Sequence, residues 1–403
     1  MHSLQFNDHY RNTSERLILD MLLLGGWAYE LSNKEAIRET REALDRWISL
    51  GLGFKEKSGH RHFDPVEVIN SMKIAGLAGH DTFWKTRYVL TGRRLVETLA
   101  LEGELQTFEL RYQRRFHIPS TGGKLRLRMP LPLDEEHLRT LSISPFIKGA
   151  GNVDLDIKPG RLEARTTASG AGTITIGAGL RLDARGRFGK KADRLDEKQA
   201  DVYLRPREGL IVVSDRIDAL AQTLVGQKRD TLEIAKAYWN YILDTQRCGS
   251  IHYDQVDVQA PCDWVLETGW CDCQLASALF IALCRARGIP ARLVGGHLLY
   301  RLAPTNHYWA EFWLDDCGWM PVDFLSWDLS LGGRDIVWRD RFFTRVDQRM
   351  VTQVMPLAFT GAIGLPVPAD FIIVQTACDR GIEIALSRAD GTLVYTDELA
   401  FTA

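Results

Sequence analysis

The chain has 403 residues, of which 45% are hydrophobic and 25% charged, with 50 Lys and Arg against 52 Asp and Glu. That much apolar material supports a sizeable core without disulfide or metal staples, and it excludes a disordered chain. A formal net charge of −2 excludes the basic face that polyanion binding needs, so no nucleic-acid partner is expected.

Length suggests two or three domains, and the texture changes along the chain. Residues 1–100 read as a helical N-terminal region. Residues 1–16 are polar, without the apolar core of a secretion signal. The most apolar stretch, Leu17–Ala28, carries Asp20 and two glycines. It is too short to span a bilayer, so it reads as a buried helix and no membrane association is expected. Ser32 with Glu35 forms a capping box ahead of an apolar stripe of Ala36, Ile37, Leu44, Trp47 and Ile48. Asp64-Pro65 is a second helix opening, an N-cap acceptor followed by a residue whose missing N–H costs nothing there. His60 and His62, in a polar loop, read as surface histidines.

Residues 101–205 alternate with period two in short runs (Phe108–Phe116, Lys124–Arg128, Leu162–Thr166, Thr173–Ile176) broken by turn residues. This pattern predicts an antiparallel β-domain of the sandwich type. Gly170, Gly172, Gly177 and Gly179 lead into no helix, so they read as turns and not as a phosphate cradle. The charged segment Gly186–Asp201 reads as a solvated loop or linker. Residues 206–365 form the next unit, opening with helices at Arg216–Leu224 and Thr231–Leu243. Residues 366–403 return to strands, Phe371–Val374 and Gly381–Leu386, with a hairpin at Asp390-Gly391. These strands are expected to pack on the preceding core or on the β-domain. The fold class is α+β.

Seven cysteines are present, five of them between positions 248 and 284. The odd number, with no secretion-type start, predicts free thiols and a cytoplasmic location. Cys248, Cys284, Cys317 and Cys378 read as inert buried residues. Cys273 is followed by apolar positions at helical spacing (Ala276, Leu279, Phe280, Leu283), and Gly288 and Pro290 end that helix. A cysteine there sits at a helix N-terminus, where partial positive charge favours a thiolate and free N–H groups offer oxyanion donors. Ile289–Val294 then reads as a buried strand.

A thiolate nucleophile needs a base, and the base an orienting acceptor. Residues 306–323 read as a β-hairpin, His307–Leu314 and Trp319–Phe324. His307 and Asp323 are 16 residues apart, so a turn centred on Asp315 sets them directly opposite. A turn centre nearer Cys317 and Gly318 requires a bulge to restore that pairing.

These blocks resemble the transglutaminase-like superfamily of papain-type cysteine enzymes, in the bacterial form with a β-domain ahead of the core. The resemblance rests on Cys273 with Gly288-Ile-Pro-Ala-Arg292 15 residues later, Arg285 three before that glycine, His307-x-Trp309-x-Glu311, and Trp319-x-Pro321-x-Asp323. It covers roughly 120 to 150 residues and implies a catalytic triad of Cys273, His307 and Asp323. It also implies a nucleophile-bearing helix packed on an antiparallel sheet. The family usually has glycine two residues before the nucleophile, where this chain has Cys271. Counting from Gly288 and Arg285 selects Cys273, whereas that glycine register selects Cys271.

The plainer readings stand beside this one. Cys262, Cys271, Cys273 and His307 are possible zinc ligands, but they lack the paired CxxC knuckles of structural zinc sites, so no metal is expected. Trp309, Trp313 and Trp319 read as packing residues, and Glu311 as a structural partner or a substrate contact. Trp239, Trp264 and Trp270 are candidates for an oxyanion or lid contact. The expected function is acyl transfer through a thioester on a peptide, amide or carrier-bound thioester, with no cofactor implied. An amine acceptor gives transamidation and water gives hydrolysis. The alternative is a non-catalytic binding or scaffolding module that retains the fold.

Overall fold

The computed structural model describes residues 10–24, 34–99, 104–118, 123–149, 151, 153–168, 170–188, 195–301, 304–355, 371–378, 381–388 and 393–402. Ser32 of the expected capping box, the end of the Leu17–Ala28 stretch and the Asp390-Gly391 turn lie outside these residues. Among the described residues no helix is long and apolar enough to cross a membrane.

The N-terminal region contains α1 (Glu15–Leu24), α2 (Lys34–Ser49), α3 (Pro65–Ala78) and α4 (Leu90–Glu97), with a π-helical turn, Trp84–Val89, running into α4. In α2 the buried stripe is Ala36, Thr40, Ala43, Leu44 and Trp47. Ile37 lies one residue off that stripe and is 42% exposed, so its expected place in the core is corrected by the 100° step of the helix. α3 opens as expected. Asp64 Oδ1 accepts from the Val66 amide at 2.9 Å, and Pro65 is the first helical residue. His60 and His62 lie on a short strand, His60–Phe63, that pairs with Lys55–Lys57.

The β-domain is built from β1 (Gln106–Ile118), β2 (Gly123–Pro130), β3 (Leu138–Lys148), β4 (Asp154–Lys158), β5 (Arg161–Ala168) and β6 (Gly172–Ala184). An antiparallel three-stranded sheet, β2-β5-β4, contributes Leu127, Met129, Leu162 and Ala164 to one buried cluster. Phe108, Leu110, Ile174, Ile176 and Leu180 enter the same cluster from β1 and β6 of the second sheet. The expected sandwich is therefore two antiparallel sheets with a shared apolar interior. The glycine reading is corrected: Gly177 and Gly179 lie inside β6 and not in turns. Gly177 pairs with Gln113 and Phe146 on either side, and a Cβ there would stand 2.4 Å from the Phe146 ring and 2.8 Å from the Tyr112 carbonyl oxygen. Glycine is present because a neighbouring ring crosses the strand at that point.

The described parts of the charged stretch after β6 carry regular structure. Arg187-Phe188 pairs with Arg345-Val346, and α5 (Glu197–Tyr203) begins on an Asp196 cap whose side chain accepts from Gln199 N at 2.9 Å. Arg187 is nearly buried because it ion-pairs with Glu135 at 3.2 Å and with Glu311.

In the next unit α6 (Asp215–Val225), α7 (Thr231–Thr245) and α8 (Pro261–Thr268) pack around α9 (Cys273–Ala286), whose residues 274–285 are all buried. α9 lies against an antiparallel sheet of β7 (Ala291–Leu298), β8 (Asn306–Leu314), β9 (Gly318–Val322) and β10 (Arg349–Val354), in the order β9-β8-β7-β10. Arg285 joins helix to sheet. Its Nε and Nη2 donate to the Ala291 carbonyl at 3.0 and 2.8 Å, and Nη2 also reaches Glu208 at 2.7 Å. The final strands β11 (Phe371–Cys378), β12 (Gly381–Arg388) and β13 (Leu393–Phe401) extend the β-domain's larger sheet, giving the order β11-β12-β13-β1-β6-β3.

Candidate active site

Cys273 is the first residue of α9 and is half-buried. Asp272 caps the helix, its Oδ1 accepting from Leu275 N at 2.8 Å. This places the sulfur at the end of the helix, where the first N–H groups have no partner within it. The Tyr308 backbone N–H is directed at the sulfur, which seats Cys273 against the peptide joining His307 to Tyr308 on β8.

The hairpin turn is centred on Asp316, one residue later than the direct-opposition geometry requires. Leu314 pairs with Gly318 and Ala310 with Val322, and Asp316 adopts φ 67°. No bulge interrupts this register. Extended, it would set Asp323 across from Trp309, so Asp323 meets His307 diagonally along one face. The contact is close all the same, with His307 Nε2 2.7 Å from Asp323 Oδ1. With Nε2 engaged, Nδ1 is the ring nitrogen left to act as a base.

Asp323 is fully buried and receives further donors, the Leu325 amide at 2.8 Å and the Arg349 guanidinium. Burial alone would favour the neutral acid. His307 and Arg349 outweigh it and hold the carboxyl well below the usual carboxylate range. Arg349 is itself fully buried over the Trp309 ring and bonds Asp347 Oδ1 at 3.0 Å. Tyr300 in turn donates to Asp347 at 2.6 Å. Arg349 carries no local sequence signal, since it approaches the aspartate only through sheet packing.

Burial, followed by the Asp272 carboxylate, pushes the Cys273 thiol well above its ordinary range, while the Tyr308 amide pulls it down. Burial and the Asp272 carboxylate thus oppose the thiolate-favouring effect expected of the helix terminus. Cys271 has a different environment. It is fully buried, 3.6 Å from the Cys248 sulfur and directed toward the Arg247 carbonyl. Cys262 donates instead to the Leu210 carbonyl. Among the described residues no group of three His, Cys, Asp or Glu is arranged to hold a metal ion.

Glu311 is sealed away from solvent. Arg292 Nε donates to it at 2.7 Å, and Arg187 and Trp309 donate to its other oxygen. The two guanidiniums overcome burial and hold its carboxyl at about 2. It is a structural anchor, which decides between the two roles open in the sequence. Trp239 is buried with its N–H on Asp340 at 3.1 Å, and Trp313 and Trp319 pack edge to face at 5.4 Å. Tyr253, which the sequence reading passed over, places its hydroxyl 2.8 Å from Asp272 Oδ2.

Residues 218–324, which span α9 and the hairpin, match the sequence profile of the transglutaminase-like superfamily. The core is transglutaminase-like. No curated protein matches the chain. Among solved structures, the chain is similar to a candidate cysteine protease from Cytophaga hutchinsonii, at 15% identity and a TM-score of 0.45, covering 74% of this chain and 99% of that one. It is also similar to the periplasmic domain of TgpA from Pseudomonas aeruginosa, at 14% identity and a TM-score of 0.29, covering 60% and 99% of the two chains. A candidate protease from Parabacteroides distasonis matches at 10% identity and a TM-score of 0.25, covering 71% and 68%. The assignment rests on the transglutaminase-like segment itself, and that superfamily consists typically of papain-like cysteine enzymes.

Proposed function

We propose that the transglutaminase-like core catalyses cysteine-dependent acyl transfer, with Cys273 as nucleophile, His307 as general base and acid, and Asp323 as the carboxylate that orients the imidazole. The observation that carries this reading is the His307–Asp323 contact of 2.7 Å, made one peptide bond away from the amide that faces the Cys273 sulfur.

The proton of Cys273 passes to His307 Nδ1 as the S–C bond to the substrate carbonyl forms. The imidazolium that results lies beside an ionised Asp323, which stabilises it. The Cys273 amide, at the first turn of α9, is positioned to donate to the oxyanion. Collapse breaks the bond to the leaving group, which takes the proton from His307, and a thioester remains. An amine then gives transamidation, and water gives hydrolysis. The chemistry needs no cofactor. The substrate class is a peptide, an amide or a carrier-bound thioester. Cys248, Cys262, Cys271, Cys273, Cys284 and Cys317 are free thiols, and the sulfurs of Cys248 and Cys271 lie 3.6 Å apart, which supports a reducing, cytoplasmic setting.

The test uses p-nitrophenyl acetate as an activated acyl donor. The expected result is a burst of p-nitrophenolate with a matching acetyl adduct on Cys273 by intact mass and peptide mapping. That adduct should be absent in Cys273→Ala and discharged faster by hydroxylamine. No adduct on Cys273, with the other cysteines labelled equally slowly, would establish the scaffolding alternative.

A further inference from the structure

Tyr253 lies 20 residues before the nucleophile on a half-buried turn, Tyr253–Gln255, and its hydroxyl belongs to a compact arrangement around Cys273. It donates to Asp272 Oδ2 at 2.8 Å and accepts from Gln274 Nε2 at 2.8 Å. One phenol thus bridges the residues immediately before and after the cysteine. Asp272 is engaged at both oxygens, by Tyr253 on one and by the helix-capping Leu275 amide on the other.

The turn that carries Tyr253 is held by the N-terminal helical region. His252, next in sequence, places Nε2 2.6 Å from the buried Asp64 Oδ2 at the start of α3, and its ring stacks on Tyr10 at 4.0 Å. The Tyr10 hydroxyl reaches Asp254 on the other side of Tyr253. Asn70 of α3 exchanges two hydrogen bonds with the Ser250 backbone, at 3.0 and 2.9 Å, and Lys73 donates to the Cys248 carbonyl at 2.9 Å. The approach is so close that a Cβ on Gly249 would lie 2.3 Å from Asn70 Oδ1. Gly249 N in turn bonds the Cys271 carbonyl at 2.8 Å. A continuous path of polar contacts therefore runs from α3 through residues 248–254 to both flanks of the nucleophile.

We propose that Tyr253 is a positioning residue for Cys273, pinning the Asp272 carboxylate beside the sulfur, and that the N-terminal helical region is the part of the protein that holds Tyr253 in place. Asp272 is a negative charge adjacent to a sulfur that must itself become negative. A phenol O–H donated to that carboxylate draws its charge away from the sulfur and stops it from rotating, while the same oxygen anchors Gln274. The groups acting on Cys273 are Asp272 at the head of its own helix, Tyr308 from β8 (next in sequence to His307), Asp323 after β9, Cys248 from the segment ahead of the turn, and Tyr253 itself. Tyr253 is the member whose donor lands on Asp272. On this account Tyr10, Asp64, Asn70 and Lys73 brace the segment that backs the active site.

The inference rests on Cys273 being the nucleophile of the proposed reaction, and the experiment separates the two. Acylation by p-nitrophenyl acetate and the pH profile of Cys273 alkylation by iodoacetamide are measured for the full chain and for Tyr253→Phe, Asp272→Asn and the double variant. Asparagine keeps a cap acceptor and lacks the charge. Loss of a hydrogen bond to a charged group predicts a roughly tenfold lower acylation kcat for Tyr253→Phe, with little change in KM. Its alkylation midpoint should move to higher pH at an unchanged thermal midpoint, and Asp272→Asn should abolish that upward move. Asn70→Ala, which loosens the turn from the N-terminal side, should move both readouts the same way, and it serves as the second probe if Tyr253→Phe folds poorly. Wild-type-like acylation and alkylation in Tyr253→Phe overturns the proposal, as does an equal loss with and without the Asp272 charge. A wild-type Cys273 that fails to react refutes the acyl-transfer reading itself.

Discussion

Replacing Arg349 with methionine tests the buried electrostatics behind the base. In the folded protein one guanidinium lies between two buried carboxylates, Asp323 and Asp347, so with a neutral imidazole the group of charges carries a net −1. Arg349→Met raises that to −2 in a place water does not reach, and both carboxylates lose a charge-assisted donor. Removing one partner of a buried ion pair costs about 3–5 kcal/mol, and that is the expected loss of unfolding free energy at neutral pH by urea titration. The pH dependence has a fixed sign. Burial raises the Asp347 pKa even with Arg349 present, so without the arginine this group gains most from taking up a proton. The deficit of the variant should therefore be largest near neutrality and shrink as pH falls toward the unfolded carboxylate value of about 4. Arg349→Lys, which keeps the charge and loses the fork, should lie between the two. A neutral-pH loss below about 1 kcal/mol, or a deficit that does not shrink on acidification, would refute this account of the cluster.

Three more outcomes follow from the same structure. Glu311→Gln removes the more buried of the two carboxylates that Arg187 and Arg292 share, leaving them only Glu135, and should lower stability at neutral pH by about 3 kcal/mol in urea titrations. Because the Glu311 pKa is depressed to about 2, its contribution is complete above the unfolded value and disappears as pH falls toward 2, so the wild type and Glu311→Gln should converge in acid. Cys271→Ala, by contrast with Cys273→Ala, should keep the p-nitrophenyl acetate burst, because that sulfur faces Cys248 and not the base; a lost burst in a folded variant would reassign the nucleophile. Gly177→Ala puts a methyl group against Phe146 and the Tyr112 carbonyl and should cost about 1–3 kcal/mol by thermal or urea unfolding, whereas a turn glycine with open space would tolerate the change.

Local pattern carried far in this chain. The Asp64-Pro65 and Asp272-Cys273 helix starts, the period-two runs of the β-domain and the order of the Cys, His and Asp blocks were all readable, because each depends on neighbours within a few residues. Register was harder. The turn is centred on Asp316, and a one-residue difference changes a direct cross-strand pair into a diagonal one. Ile37 and Gly177 were misread because helix phase and ring-over-strand packing are decided by residues far away in sequence. The linker was misread because Arg187 looks like a solvent residue until Glu135 and Glu311 are brought to it. Arg349 and Tyr253 share that origin, since no spacing rule links an edge strand or an upstream turn to the head of α9.

The larger sheet has a consequence for how the chain is made. Strand β13 lies directly beside β1, with Tyr395 across from Phe116 and Phe401 across from Leu110, so the transglutaminase-like core is threaded between two neighbours of one sheet. A nascent chain that has already emerged past that core still exposes a long, unsatisfied β1 border to its surroundings. Until residues 393–401 leave the ribosome, that border is open to pairing with foreign strands. Deletion of that one strand would thus damage the molecule first as an aggregation problem, in a region remote from the thiol.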